Sequence, residues 1–227
     1  MRILRAILLA APALALAWGA DAPKEETLRY SINWPSGLSL GEAQLESAPS
    51  ASGWKLAFVL DAAIPGFTAR DRYESQAAGD YCSAEFTKRC THGKRRIAEK
   101  TVFEGASGTA LRQTLEGGGS SRLTVPACPH DALAFLYYLR RELANGRLPG
   151  PQTVYFGAPY QVRLEFGGLR PVRVNDEPVE TERVVASFKG PASNSSVEMY
   201  FARDAVRTPV LVRLALQAGT FTMELVR

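Results

Sequence analysis

The sequence predicts a mainly β protein: an antiparallel curved sheet or open half-barrel of about ten strands, wrapped around one long apolar helix at about residues 131–145. Two patterns carry this reading. Short alternating stretches punctuated by Gly, Pro, Asn and Asp run through nearly the whole chain. Against them, the segment HDALAFLYYLRRELAN (residues 130–145) holds an unbroken apolar and aromatic run from Ala132 to Leu139. A helix that is apolar all round must be enclosed on several sides. In a β-rich chain, the enclosing element is a sheet.

The elements follow in order. Thr27 to Asn33 and Leu38 to Glu46 read as strands joined by the turn Trp34-Pro35-Ser36-Gly37. Trp54 to Asp61 is a third, after a Pro/Ser/Gly loop at 47–53. Ile64-Pro65-Gly66 breaks the chain before a strand from Phe67 to Ala77. Asp80 to Cys90 and Arg95 to Glu104 form a hairpin around Thr91-His92-Gly93-Lys94. Ala110 to Glu116 is a further strand, and Gly117 to Ser121 a flexible turn. The helix has its own signals: Pro129 before it, Asp131 as N-cap, Arg140 and Arg141 towards its C-terminal end, and Asn145-Gly146 as a stop. After it, strands are expected at Gln152 to Phe166, Val172 to Val174 and Thr181 to Phe188. A long hairpin closes the chain: Ser196 to Phe201 and Val210 to Leu216, then Gly219 to Val226.

Residues 1–20 have the form of a secretory signal, with Arg2 and Arg5 ahead of a short apolar core broken by Pro12. Ala15-Leu16-Ala17 supplies the small residues for cleavage, and a cut after Gly19 or Ala20 is the alternative. No cysteine lies near the cut for acylation. The expectation is therefore a free periplasmic or secreted protein with one domain at 21–227 and no transmembrane segment in the mature chain. Without Arg2 and Arg5 the chain keeps 25 basic residues against 23 acidic, a net charge of +2. That modest value argues against a protein built for nucleic acid.

Cys82, Cys90 and Cys128 in an oxidising compartment suggest one disulfide and one spare thiol. In a continuous strand Cys82 and Cys90 would stand roughly 26 Å apart, beyond the reach of a disulfide. Cys128 is then the partner of one of them. Cys82 is favoured because alternation places it on one face with Ala84 and Phe86, towards the helix; Cys90 is the alternative.

Few residues suggest chemistry. Cys128-Pro129-His130-Asp131 brings thiol, imidazole and carboxylate together, but the proline disfavours catalytic geometry. Disulfide, helix entry and cap account for each member. His92 and His130 are the only histidines, and no metal-ligand spacing joins them. No nucleophile elbow or phosphate loop is present, so no cofactor is expected and the protein reads as non-enzymatic. Lys88, Arg89, Lys94, Arg95 and Arg96 around His92 form a basic hairpin, suited either to an anionic partner or to protecting a sheet edge. Where the sheet fails to close around the helix, Leu133, Leu136 and Tyr137 would line an apolar ligand cavity.

Asp131, Tyr137 and Arg140 in DALAFLYYLR resemble the helix signature of the bacterial family called domain of unknown function 3108, Asp-x-hydrophobic-Ser-x-x-Tyr-x-hydrophobic-Arg. The opening LRYSINWPSGLSLGEAQLE, with Tyr30, Gly37 and Gly41, is similar to the family's first hairpin. ARDAVRTPVLV, with Asp204, Arg207 and Pro209, followed by Gly219 and Leu225, extends the resemblance over about residues 27–227. Ala134 stands where the family usually has its helix serine, so any role of that hydroxyl is absent. The resemblance implies an exported protein with an open β half-barrel around a helix, similar to periplasmic lipoprotein carriers. It brings no established activity.

Asp131 and Arg140 read as separate anchors, Asp131 capping the helix and Arg140 pairing with a carboxylate such as Asp204. The functional expectation is binding of a lipid or other apolar ligand. The alternative is a structural or interaction protein of the cell envelope, using its outer sheet face or the basic hairpin.

Overall fold

The computed structural model describes residues 25–64, 66–191, 194–216 and 219–226; the expected signal segment lies outside them. The first eight strands are successive antiparallel neighbours: β1 (Glu26–Asn33), β2 (Ser39–Ser50), β3 (Gly53–Ile64), β4 (Phe67–Ala78), β5 (Ser83–His92), β6 (Arg95–Glu104), β7 (Thr109–Thr114) and β8 (Ser120–Thr124). The two-residue β9 (His130–Asp131) runs straight into the helix α1 (Ala132–Ala144). Beyond it come β10 (Gln152–Tyr155), β11 (Pro159–Val174), β12 (Glu177–Lys189), β13 (Asn194–Ala202), β14 (Pro209–Leu216) and β15 (Gly219–Val226).

All the described strands belong to one open, curved sheet. β1 pairs with both β2 and β15, so the first and last described strands meet in its middle, and the edges are β8 and β9. Every neighbour is antiparallel except β9 beside β10. Period-two alternation builds the inner face: Tyr30 and Ile32 on β1, Ala43 and Leu45 on β2, Leu56 and Ala62 on β3 are all buried.

The helix lies on this inner face, and two apolar clusters account for its all-round greasiness. Leu133, Ala134 and Tyr137 pack with Tyr30, Leu45, Leu56 and Phe86 from the N-terminal strands. Phe135, Leu139 and Leu143 pack with Val154, Val162, Val184 and Phe201 from the C-terminal ones. Its bounds fall within a residue of the expected 131–145, with Asp131 as N-cap and Gly146 in the left-handed region after Asn145.

Among the described residues the sheet has fifteen strands, not about ten, and the differences have local causes. The expected strand from Gln152 to Phe166 is cut by the Phe156-Gly157-Ala158 turn, where Gly157 has φ +74° and Phe156 N–H donates to the Ala158 carbonyl at 2.9 Å. Val172–Val174 is the far end of β11, which continues past a bulge at Gly167-Gly168. Asn175 and Asp176, both with positive φ, then form the tight turn into β12. β8 and β9 are too short to leave an alternation pattern.

The expected phase of β5 is also corrected. Tyr81 adopts φ +70° and closes a turn onto the Ala78 carbonyl, so the strand begins at Ser83 rather than Asp80. A register shift opposite Gln76 and Ala77 then puts Ser83 and Phe86 inside and leaves Ala84 exposed.

Candidate apolar site beneath the helix

A cavity of about 210 Å3 lies between α1 and the inner face of the sheet. The helix contributes Leu133 and Leu136, as expected, together with Ala132, Phe135 and Leu139. Tyr30, Leu45 and Phe58 reach it from β1 to β3, and Val154 and Phe188 from β10 and β12. Met199, Pro209, Val212 and Met223 complete the lining from β13 to β15. Its floor is buried (Tyr30, Leu45, Leu133, Leu139), whereas Phe58, Leu136, Phe188, Met199, Val212 and Met223 are only partly buried and form the mouth. The one hydroxyl in the lining, that of Tyr30, is already used: it donates to the Pro209 carbonyl at 2.9 Å. The wall therefore offers a guest hydrocarbon and sulfur, with two flexible methionines able to adapt to its shape.

Size sets what can enter. An apolar cavity of about 150 Å3 admits benzene and stays dry otherwise, while sites for drug-sized ligands begin near 300 Å3. At roughly 30 Å3 per water-sized group, the space holds about seven such groups. That suits a stretch of a single alkyl chain rather than a fused ring system.

Two polar clamps fix the helix that roofs the cavity. Asp131, fully buried, accepts from Leu133 N–H at 2.9 Å and Ala134 N–H at 3.1 Å through Oδ1. Its Oδ2 accepts from the Ser75 and Ser83 hydroxyls of β4 and β5 at 2.6 and 2.7 Å. Burial pushes its carboxyl up from the ordinary value, against these four hydrogen bonds.

Arg140, 1% exposed, does not pair with Asp204 as expected. It makes a two-pronged ion pair with Glu26 of β1, and its Nε donates to the Val206 and Arg207 carbonyls at 3.0 and 3.2 Å. Asp204 instead accepts from Thr208 N–H within its own turn.

Tyr137 faces away from the cavity. Its ring stacks on Tyr81 with centroids 6.1 Å apart, and the Arg140 guanidinium lies 4.8 Å from its centre. Ala134, where the family signature carries serine, is wholly enclosed in the apolar cluster.

The remaining expected residues separate. Cys82 and Cys128 form a disulfide with Cα atoms 4.7 Å apart, tying the segment before the helix to the start of β5. The pairing matches the favoured one, although Cys82 precedes the strand and does not share the Phe86 face by alternation. Cys90 is free and buried. Of the basic hairpin, Lys94, Arg95 and Arg96 are exposed, and Arg89 lies 3.5 Å from Glu74. Lys88 turns to the inner face instead, 3.6 Å from Glu99 and 4.7 Å from the centre of the Phe156 ring. Glu99 is held below the ordinary carboxylate range: its desolvation is outweighed by the Arg112 hydrogen bond at 2.5 Å and by the Lys88 and Arg112 charges.

Sequence reading missed the sheet's share of the lining. Tyr30, Leu45 and Phe58 are inward members of alternating strands, so each was identifiable as core, but which core residues border a space depends on packing across the sheet.

The fold has a solved counterpart. The crystal structure of a β-barrel-like protein of domain of unknown function DUF1849 from Brucella abortus superposes with a TM-score of 0.67 at 10% identity, covering 90% of this chain and 96% of that one. At such identity the likeness shows the fold alone. No curated protein matches the chain. A family model described as protein of unknown function, DUF3108, matches residues 29–226, and the chain belongs to that family.

Proposed function

We propose that the protein is an exported, non-enzymatic binding module of the cell envelope that holds an acyl chain or a similar apolar ligand between α1 and the sheet. The observation that carries this reading is the cavity of about 210 Å3 whose only hydroxyl is internally satisfied. An apolar ligand gains roughly 25 cal/mol per Å2 of surface withdrawn from water, and no wall group has to lose a hydrogen bond to water when it binds. The Cys82–Cys128 disulfide and the signal-like residues 1–20 support a periplasmic or secreted location. Native mass spectrometry of the purified protein, followed by organic extraction, tests the proposal. The expected result is a co-purifying single-chain amphiphile, or stoichiometric uptake of an added fatty acid. Protein that emerges empty and takes up none would overturn it.

A second reading, an envelope interaction module, draws on the exposed cations Lys94, Arg95 and Arg96 at the β5–β6 tip. Charge reversal at Arg95 and Arg96 would then abolish capture of an anionic envelope partner in crosslinking experiments and leave fatty-acid uptake unchanged.

A further inference from the structure

We propose that Asp71, Cys90 and His92 form a binding site for a divalent transition-metal ion of the zinc class, separate from the apolar cavity. The grouping follows from strand geometry. Asp71 on β4 and Cys90 on β5 are register partners, and His92 lies two residues beyond Cys90. With a side-chain period of two, all three project from the same face. One ligand atom from each comes within 4.8 Å of the others, as thiolate, imidazole and carboxylate donors around one point. This donor set suits zinc and its neighbours rather than calcium or magnesium, which take oxygen. Three protein ligands leave a fourth position for water.

The surroundings are those of a prepared site. The Tyr73 hydroxyl donates to Asp71 Oδ2 at 2.7 Å, orienting the carboxylate so that Oδ1 meets His92 Nε2 at 2.8 Å. Outer contacts of this kind commonly aim first ligands. Roughly 3.3–3.7 Å separates the ligands of tetrahedral zinc, so Oδ1 and Nε2 need to part by less than about 1 Å. His92, whose side chain is 43% exposed, has the freedom to move and opens the site to solvent.

Cys90 is the chain's unpaired sulfur, and its hydrogen bonding is a long 3.6 Å contact to Tyr73 Oη. Coordination exchanges the Cys90 S–H proton for the metal, the proton leaving to solvent. Among the described residues, the other comparable group, Asp80 with Cys82 and Cys128, has both sulfurs spent in the disulfide.

Cobalt(II) titration of the full chain, kept oxidised so that the disulfide stays closed, tests the site. Because Cys82 and Cys128 are paired, a thiolate-to-cobalt charge-transfer band can come only from Cys90. The expected result is a 1:1 band with tetrahedral visible transitions, displaced by Zn2+ and lost in Cys90→Ala and in His92→Ala. Zn2+ should also shield the single free thiol from alkylation in the parent protein and not in His92→Ala. Because His92 lies at an exposed strand end, that variant keeps the test valid should Cys90→Ala fail to fold. Absence of the charge-transfer band at stoichiometric Co2+, or its survival in His92→Ala, would overturn the proposal.

Discussion

Asp131 serves two elements with one carboxylate: Oδ1 caps the first turn of the helix, and Oδ2 fastens that turn to Ser75 and Ser83 on the sheet. Loss of a helix cap costs about 1 kcal/mol, and leaving buried hydroxyls unpaired adds about 1–3 kcal/mol. Asp131→Ala is therefore expected to cost about 2–4 kcal/mol in urea unfolding, and Asp131→Asn less, since its amide still offers an acceptor to the backbone. Equal losses for the two would mean that Oδ1 capping contributes nothing.

At Arg140 the same logic predicts about 3–5 kcal/mol for Arg140→Met, because Glu26, partly buried, is left with an unmatched charge and the Val206 and Arg207 carbonyls lose their donor. Adding Glu26→Leu should recover most of that loss. The two anchors differ in how far sequence reveals them. Capping is local, so Asp131 before an apolar run declares its role. Arg140 chooses its carboxylate across 114 residues, and nothing between it and Glu26 in the chain indicates that β1 crosses its end.

The helix was readable as an element because all of its apolar residues find a partner, one set towards β1–β6 and the other towards β10–β13. β5 starts later than its alternation indicates because a single left-handed residue, Tyr81, ends the preceding turn, and the register shift opposite Gln76 and Ala77 then inverts Ser83 and Ala84; tyrosine carries no signal for positive φ. Between these elements His130 joins β9 to β10: its Nδ1 lies 3.1 Å from Gln152 Oε1, and its ring stacks on Tyr138 at 4.6 Å.

Burial pulls the His130 pKa below the ordinary 6.5, and the nearby Arg141 charge adds to this against the Gln152 hydrogen bond. A base depressed in the folded state leaves the unfolded chain binding more protons. Its stabilising contribution is therefore present above about pH 6.5 and lost as pH falls through the folded value. The stability of the parent protein should fall with acid from pH 6.5 downward, and the slope over that range should flatten in His130→Gln. Urea midpoints at half-unit pH steps measure it; parallel slopes would assign the acid sensitivity to other groups.

An open sheet has no strand pairing that closes it and holds its curvature, so the contacts that bring its β9 edge back over β5 matter to the whole molecule. Three of them converge: the Ser83 N–H to Pro129 carbonyl bond at 2.8 Å, the Asp131 clamp and the Cys82–Cys128 disulfide. The disulfide closes a loop with a sequence separation of 46, which the chain-entropy model values at about 4 kcal/mol. Cys82→Ser with Cys128→Ser should cost about 2–4 kcal/mol and weaken apolar-ligand uptake, because the bridge positions the helix that roofs the cavity.

Whether the space beneath α1 is a ligand site or residual free volume is decided by filling it. Ala132 borders the cavity from the first turn of the helix, where leucine has good helix propensity. Ala132→Leu adds three carbon atoms, about 80–90 Å3 at roughly 30 Å3 per water-sized group, to a space of about 210 Å3. Filling an apolar void commonly contributes about 0.5–2 kcal/mol, so thermal unfolding should shift upward. If the cavity is the binding site, the same change should cut fatty-acid uptake at least tenfold. Higher stability with undiminished uptake would move the ligand elsewhere on the molecule and leave the cavity as packing alone.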